Sequence, residues 1–469
     1  CPFFRLTPSK NELCVFTVQL GDLEGRLDVH FYLPEFQSLI KKIKAKKYRL
    51  LGEIARFSKE TTSFSEFSDG MFEYLEIAGV EIGTNTYQTT LTNVVDAPSR
   101  ARMKTQPGDI VISTTRPNRG AIAQIKDDKI IASTGFSIIR ELDDSVDREW
   151  MLYTLLSDLS LQQMLQRSSG GNYPAIIEDE IKKIYIPCID VASQKKTAQT
   201  LRAKLDERKR ILEEANKALS ICKDAVFASL KLYFLEYRPA LYSISKLEDV
   251  RELGIYCNPH SDYLNDVFSK LRANNFFAGH LEDFVEINPK TSREDLQDKS
   301  AVSFVPMTAV TEKTNEVVYE LKTYSEVKAG FTIFRKDDLL WAKITPCMQN
   351  GKSFVASDMP TDIGFGSTEF HVLRAKNPKR VYMPYLWVIF SNEHILEAAQ
   401  GMFGGSAGQQ RVPDTFLKKF PIVLPPYEVQ VKLADQVFEA LEKAKKMRAK
   451  AEYDWQNARK QFEKELLGE

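Results

Sequence analysis

Residues 132–140 read Ala-Ser-Thr-Gly-Phe-Ser-Ile-Ile-Arg, and residues 366–374 read Gly-Ser-Thr-Glu-Phe-His-Val-Leu-Arg. The two phrases stand 234 positions apart, and the sequence around them repeats as well. Leu51–Phe57 falls on Leu281–Ile287, and Tyr74–Val80 on Phe304–Val310, both at an offset of 230. Pro-Gly-Asp-Ile-Val-Ile-Ser (107–113) falls on Lys-Asp-Asp-Leu-Leu-Trp-Ala (336–342) at 229. Tyr-Thr-Leu-Leu-Ser (153–157) falls on Trp-Val-Ile-Phe-Ser (387–391), and Gly170-Gly171 on Gly404-Gly405, again at 234. Chance does not hold an offset within a few residues over such a length. The chain is a divergent tandem duplication.

Each half ends in a long helical pattern. After Pro187, and again after Pro425-Pro426, Gly and Pro disappear, and 193–234 and 428–468 read as unbroken helices. In the first, Leu201, Leu205, Arg208, Leu212, Ala215, Leu219, Cys222 and Val226 alternate steps of four and three, the seam of a coiled coil. Adding 236 gives Val437, Leu441, Ala444, Arg448, Ala451, Trp455, Ala458 and Phe462. Large Trp455 and Leu219 occupy one register and small Ala215 and Ala451 another, so the two helices can mesh antiparallel and close the chain with pseudo-two-fold symmetry. Before each helix, short apolar runs alternate with turn signals such as Gln-Pro-Gly-Asp and Ser-Ser-Gly-Gly-Asn, which predicts mixed domains of strands and short helices. The predicted class is α+β. The expected boundaries are an N-terminal segment at 1–25, domains at 26–190 and 237–427, and long helices at 191–236 and 428–469.

Composition narrows the chemistry. The chain has 469 residues, 43% of them apolar, and 64 basic residues balance 64 acidic ones. Zero net charge selects no partner by itself, because nucleic-acid binding depends on how charge clusters. There is no apolar run long enough to span a membrane. The opening CPFFRLTPSKNELC lacks the pattern of a signal peptide, which leads us to expect a cytoplasmic protein. Cys1, Cys14, Cys188, Cys222, Cys257 and Cys347 are widely spaced, as expected of reduced thiols and not of a zinc site or a disulfide framework. His30, His260, His280, His371 and His394 show no metal-binding spacing, and no phosphate-binding P-loop occurs. Leu424-Pro-Pro-Tyr427 resembles the amine-holding turn of amino-methyltransferases, but Leu stands where the polar acceptor is needed. We therefore expect no catalysis, no metal and no cofactor in this chain.

Polar loops remain at matching places. Thr114-Thr-Arg-Pro-Asn-Arg-Gly120 answers Lys343-Ile-Thr-Pro-Cys-Met-Gln-Asn-Gly-Lys352. Arg167-Ser-Ser-Gly-Gly-Asn-Tyr173 answers Gly404-Gly-Ser-Ala-Gly-Gln-Gln-Arg411. Arg and Lys donate to guanine, Asn and Gln pair bidentately with adenine, and Ser suits phosphate. A duplicated frame with unlike polar tips is what two readers of unlike base sequences require. The candidate DNA-binding residues are Arg116, Asn118, Arg119, Ser168, Asn172 and Tyr173 in the first half. In the second they are Lys343, Gln349, Asn350, Lys352, Gln409, Gln410 and Arg411. The candidate helix–helix seam comprises Leu201, Leu205, Leu212, Leu219, Val226, Val437, Leu441, Trp455 and Phe462.

In order and duplication these features resemble the specificity (S) subunits of type I restriction–modification enzymes. The resemblance rests on the strand at Gly108-Asp109-Ile110, the polar loop, the Ser-Thr-x-Phe strand and the Gly-Gly loop. It continues in the passage Ile186-Pro187…Gln194, or Leu424-Pro425-Pro426…Gln430, into a long helix. The family's usual opening to each half is met only loosely, by Arg26–Tyr32 and by Asn258–Tyr263. The resemblance implies two target-recognition domains joined by two antiparallel helices that set the spacing of a bipartite site in double-stranded DNA. It further implies two modification (M) subunits carrying S-adenosylmethionine and methylating adenine N6, and two restriction (R) subunits using ATP and Mg. This chain would supply the address and no reaction. The competing expectation is a non-catalytic coiled-coil adaptor that joins partner proteins without reading DNA.

Overall fold

The structure is a computed structural model that describes residues 16–18, 23–238, 260–294, 296–405 and 409–469. Most of the expected N-terminal segment lies outside the described residues, as do Cys1, Cys14, Cys257 and the opening Asn258-Pro259. The chain divides into two units, one ending at Ile211 and resumed by Lys450–Glu469, the other running from Leu212 to Ala449.

Among the described residues, the first unit has twelve strands. These are β1 (Tyr48–Leu50), β2 (Ala55–Ser58), β3 (Met71–Leu75), β4 (Val80–Glu81), β5 (Thr86–Tyr87) and β6 (Thr90–Asn93). They continue with β7 (Ala101–Lys104), β8 (Ile110–Ser113), β9 (Ile122–Gln124), β10 (Ile130–Ser133), β11 (Phe136–Leu142) and β12 (Tyr185–Pro187). Two four-stranded sheets, ordered β6-β3-β10-β7 and β2-β11-β8-β9, form the body, and β1 pairs with β12 where the long helix departs. Only β3 and β10 run parallel within the first sheet.

The second unit repeats this plan with β13 (Phe277–His280), β14 (Val285–Ile287), β15 (Ala301–Val305), β16 (Glu320–Thr323) and β17 (Thr332–Arg335). It is completed by β18 (Leu339–Ala342), β19 (Ser353–Val355), β20 (Ile363–Gly366), β21 (Phe370–Ala375) and β22 (Pro421–Val423). The orders β16-β15-β20-β17, β14-β21-β18-β19 and β13-β22 match their counterparts strand for strand, including the parallel pair β15–β20. The duplication read from sequence is therefore a duplication of topology.

The repeated phrase has a physical role. It leaves β10 (or β20) in one sheet, turns, and enters β11 (or β21) in the other. At the turn, the hydroxyls of Ser133 and Ser367 accept the N–H groups of Gly135 and Glu369, each at 3.2 Å. Phe136 and Phe370 then enter the core, 3% and 1% exposed. β8 and β18 are buried at every position, so Asp-Ile-Val-Ile-Ser reads as a continuous apolar run without alternation. Ile110 and Ile112 join Trp150 and Leu155 in one cluster, while Val111 joins Ile138 in another. Both faces of the strand are covered.

The long helices span Val191–Ser229 and Tyr427–Leu467. The first stops short of the 234–236 expected from the pattern. Lys231 adopts φ 57°, the Leu232 N–H returns to the Phe227 carbonyl at 2.8 Å, and Asn274 Nδ2 donates to the Leu230 carbonyl at 2.7 Å. Each start carries a buried glutamine. Gln194 Oε1 accepts the Asp147 N–H while Nε2 donates to the Ser145 and Ile189 carbonyls. Gln430 does the same with the Tyr382 N–H and the Arg380 and Pro425 carbonyls.

Within the first unit, Leu201 and Leu205 share an apolar cluster with Trp455 and Phe462, and Arg208 Nε meets Glu452 at 2.9 Å. Within the second, Leu219 and Val226 share one with Val437 and Leu441, and Arg448 donates to Asn216 at 2.7 Å. In both units low numbers on one helix meet high numbers on the other, so the pairing is antiparallel. Among the expected seam residues, Leu212 alone is only half-buried; the other eight are buried.

Candidate nucleic-acid interface

In the first unit three segments meet at the end of β8. Thr114 donates its N–H and its hydroxyl to the Gly135 carbonyl at 2.8 and 2.9 Å, and accepts the Ile176 N–H at 2.9 Å. Ser169 and Ala175 exchange two hydrogen bonds of 2.8 Å, closing the Gly-Gly loop. Arg116 sits in the left-handed region at φ 48°, a conformation costing about 1–2 kcal/mol for a residue with a Cβ. It is held there by its N–H on the Pro174 carbonyl at 2.7 Å. Its guanidinium donates to the Asn172 carbonyl at 3.3 Å and lies 4.1 Å over the ring of Tyr173, which is 70% exposed. The stack fixes the plane of the guanidinium, and the hydrogen bond to Asn172 uses one of its five donors.

The other first-half candidates divide. Arg119 is exposed on the turn Pro117–Arg119, and Asn172 is exposed on the Gly-Gly loop. Asn118 buries its side-chain oxygen without a partner among the described residues. Ser168 is a correction: it is buried, and its hydroxyl donates to the Met164 carbonyl at 2.7 Å, closing the helix Asp158–Arg167.

The second unit repeats the backbone frame with other side chains. The Lys343 N–H donates to the Glu369 carbonyl and the Val412 N–H to the Lys343 carbonyl, both at 2.9 Å, and Gly404 pairs with Arg411 as Ser169 pairs with Ala175. Here Glu369 stands where the first half has Gly135. Its carboxylate takes Arg411 in a fork of 2.9 and 2.7 Å, which holds the Glu369 carboxyl below its ordinary range. Arg411 is thus held by a carboxylate, whereas the Arg116 guanidinium meets only a backbone carbonyl and a ring.

Three more candidates hydrogen-bond within the unit. Gln349 donates to Gln400 at 2.8 Å, Asn350 to Glu312 at 2.9 Å, and Lys352 to the Met307 carbonyl at 3.3 Å. Lys343, Gln409 and Gln410 have no side-chain hydrogen-bond partner among the described residues, and they form the open polar set of this unit.

No group of three His, Cys, Asp or Glu side chains among the described residues could hold a metal. The buried His371 donates or accepts between the Val412 carbonyl at 2.9 Å and Asn288 at 3.2 Å, and burial holds its imidazole below the ordinary range. Cys188, Cys222 and Cys347 are free thiols. No helix among the described residues is long and apolar enough to cross a membrane. The arrangement offers hydrogen-bond donors and acceptors on a backbone frame that recurs in both units.

Residues 277–451 match the family described as the type I restriction modification DNA specificity domain. Two Escherichia coli relatives are similar over 154 residues, which is 33% of this chain. The type I restriction enzyme EcoEI specificity subunit is 35% identical and the EcoAI specificity subunit 36%. The matched stretch spans about a quarter of the length of these relatives, 25% and 26%. Among solved structures, one of type I R-M system complex assembly and conformational transition aligns at a TM-score of 0.47 and 16% identity. The HsdS subunit from Thermoanaerobacter tengcongensis aligns at 0.36 and 17%. Both alignments cover 90% of this chain and 96% of the other.

Proposed function

We propose, from the type I restriction–modification DNA specificity domain that residues 277–451 form, that this chain is the sequence-reading subunit of a type I restriction–modification complex. The observation that carries the reading is the recurrence of that domain's strand order and pairing in residues 48–187. A second copy of a DNA specificity domain, with different polar tips, gives one chain two readers. Each reads half of a bipartite site in double-stranded DNA: Arg116 and its neighbours one half, Gln409 and Gln410 the other.

The chain contributes no catalytic group. Methylation of adenine N6 with S-adenosylmethionine falls to two M subunits, and ATP- and Mg-dependent translocation and cleavage to two R subunits, in a cytoplasmic complex. Arg116 carries the geometry best suited to base reading, since a pre-positioned guanidinium matches the O6/N7 edge of guanine.

Selection of bound sites from a random duplex pool by the full chain with its methylating partner tests the reading. Enrichment of two unlike half-sites at a constant separation is expected. A pool that stays random would establish instead an adaptor that joins proteins without reading DNA.

A further inference from the structure

The second unit contains an open cleft of about 500 Å³ between its two four-stranded sheets. Its walls come from the segment after β14, from β17 and from β21, and Lys343 also lines it. Three cations line it, Lys290, Arg293 and Lys343, together with Thr332, and with Asn288 and Thr291, whose side chains are bonded to His371 and the Val372 N–H and to Arg374. No carboxylate is among the lining residues. Lys290 and Lys343 have no ion pair among the described residues, and Arg293 spends one N–H on the Lys328 carbonyl at 2.9 Å.

The first unit has the corresponding strands at this place, but its charges there are paired within the protein, Lys104 of β7 with Glu66 at 2.7 Å among them. At the offset of 230 that aligns β2 with β14, Lys290 corresponds to Glu60 and Arg293 to Ser63. Thr114 occupies the frame position of Lys343, since both donate to the turn after the repeated Ser-Thr and accept from the strand beyond the Gly-Gly loop. Glu60 is itself consumed by Arg140 at 2.8 Å, and the adjacent Lys59 by Glu178 at 3.4 Å. One ancestral surface has therefore become cationic in one copy and internally neutralised in the other.

The geometry points to the cleft of the second unit as a seat for the phosphodiester backbone of duplex DNA, an anchor that the first unit lacks. Lys343 belongs both to the cleft and to the polar loop. The backbone that enters the cleft thus continues past Gln409 and Gln410, and Lys343 contacts phosphate where the sequence pattern had suggested a base. This inference rests on the DNA-reading function proposed above.

The test is the salt dependence of binding to a random-sequence duplex by the full chain. Each phosphate neutralised contributes about 0.9 to the slope of log affinity against log salt, so Lys290→Gln/Arg293→Gln/Lys343→Gln should lower the slope by about 2 to 3. The exchange Lys290→Arg/Arg293→Lys/Lys343→Arg should restore it, which separates charge from fold. If the triple variant does not fold, Lys290→Gln and Arg293→Gln, both at exposed positions, should each lower the slope by about 0.9. A native chain that binds with a steep slope, left unchanged by these substitutions, overturns the cleft and leaves the reading function standing. A native chain that binds no duplex even with its methylating partner present overturns the function itself. A site for free phosphate only would show inorganic phosphate binding with no change in the duplex slope, and that too refutes the proposal.

Discussion

Arg140 reaches Asp109 at 2.9 Å, and Arg374 reaches Asp338 at 2.6 Å. Each arginine is the last residue of the repeated phrase, and each aspartate opens the central strand β8 or β18. The carboxylates are almost wholly buried, while about a fifth of each arginine side chain remains exposed. The pair ties the strand that crosses between sheets to the strand that carries the polar loop, so the loop's base is fixed twice over.

Removing one partner of a buried pair leaves a charge without compensation, at a cost of about 3 kcal/mol. Asp338→Asn should lower unfolding stability by about that amount in urea titration. Adding Arg374→Met should recover part of the loss. Equal loss in the single and double variants would mean the pair is not coupled.

The glutamines at the helix starts each satisfy three backbone groups, and no aliphatic residue can replace that. Gln430→Leu strands the Tyr382 N–H and the Arg380 and Pro425 carbonyls, at about 1 kcal/mol each. A destabilisation of about 3 kcal/mol is expected in denaturant melts, with Gln194→Leu equivalent in the first unit.

Arg116→Lys keeps the positive charge but loses the planar fork that lies on Tyr173. Site selection with this variant should show relaxed choice at one position of the first half-site, a discrimination loss of about 1–3 kcal/mol. The salt slope should stay unchanged. A uniform loss at every position would make Arg116 a phosphate contact.

Glu463, on the second long helix, accepts the Asp158 N–H at 2.6 Å, and burial together with the nearby Asp158 carboxylate pushes its carboxyl up to about 7. Its ordinary value is 4.5, so between 4.5 and about 7 the folded protein holds a proton that the unfolded chain releases. The resulting stability is fully present below 4.5 and is lost as pH rises through about 7. Glu463→Gln keeps the acceptor and abolishes the titration. Thermal melts across this range should show a flatter pH dependence for the variant than for the native chain.

Much of the fold was legible in the residues. Both halves and a helix seam in each followed from offsets and from steps of four and three, because core positions tolerate only a narrow range of residues and keep their spacing, whereas the order of the strands came only with the structure. The buried Gln194 and Gln430 were visible only as part of a recurring passage into the helix. Their reason lies in backbone groups nearly 50 residues upstream as well as beside them.

The open side chains were less legible. Arg116 and Arg411 look equivalent as polar tips, yet one has no carboxylate partner and the other is held by Glu369, the residue that replaces Gly135. Ser168 reads as a phosphate ligand and closes a helix instead. Lys290 and Arg293 lie in a stretch without a motif. The signal that could have found them was the aligned exchange of Glu60 for Lys290.

By itself, then, the sequence determined that one module was copied and that each copy ends in a helix with a mating seam, since apolar periodicity is a local property of the chain. Which charges remain available to a ligand was decided only in the tertiary structure. A charge is free or spent according to what lies within about 4 Å of it, and those neighbours are brought in from distant parts of the chain.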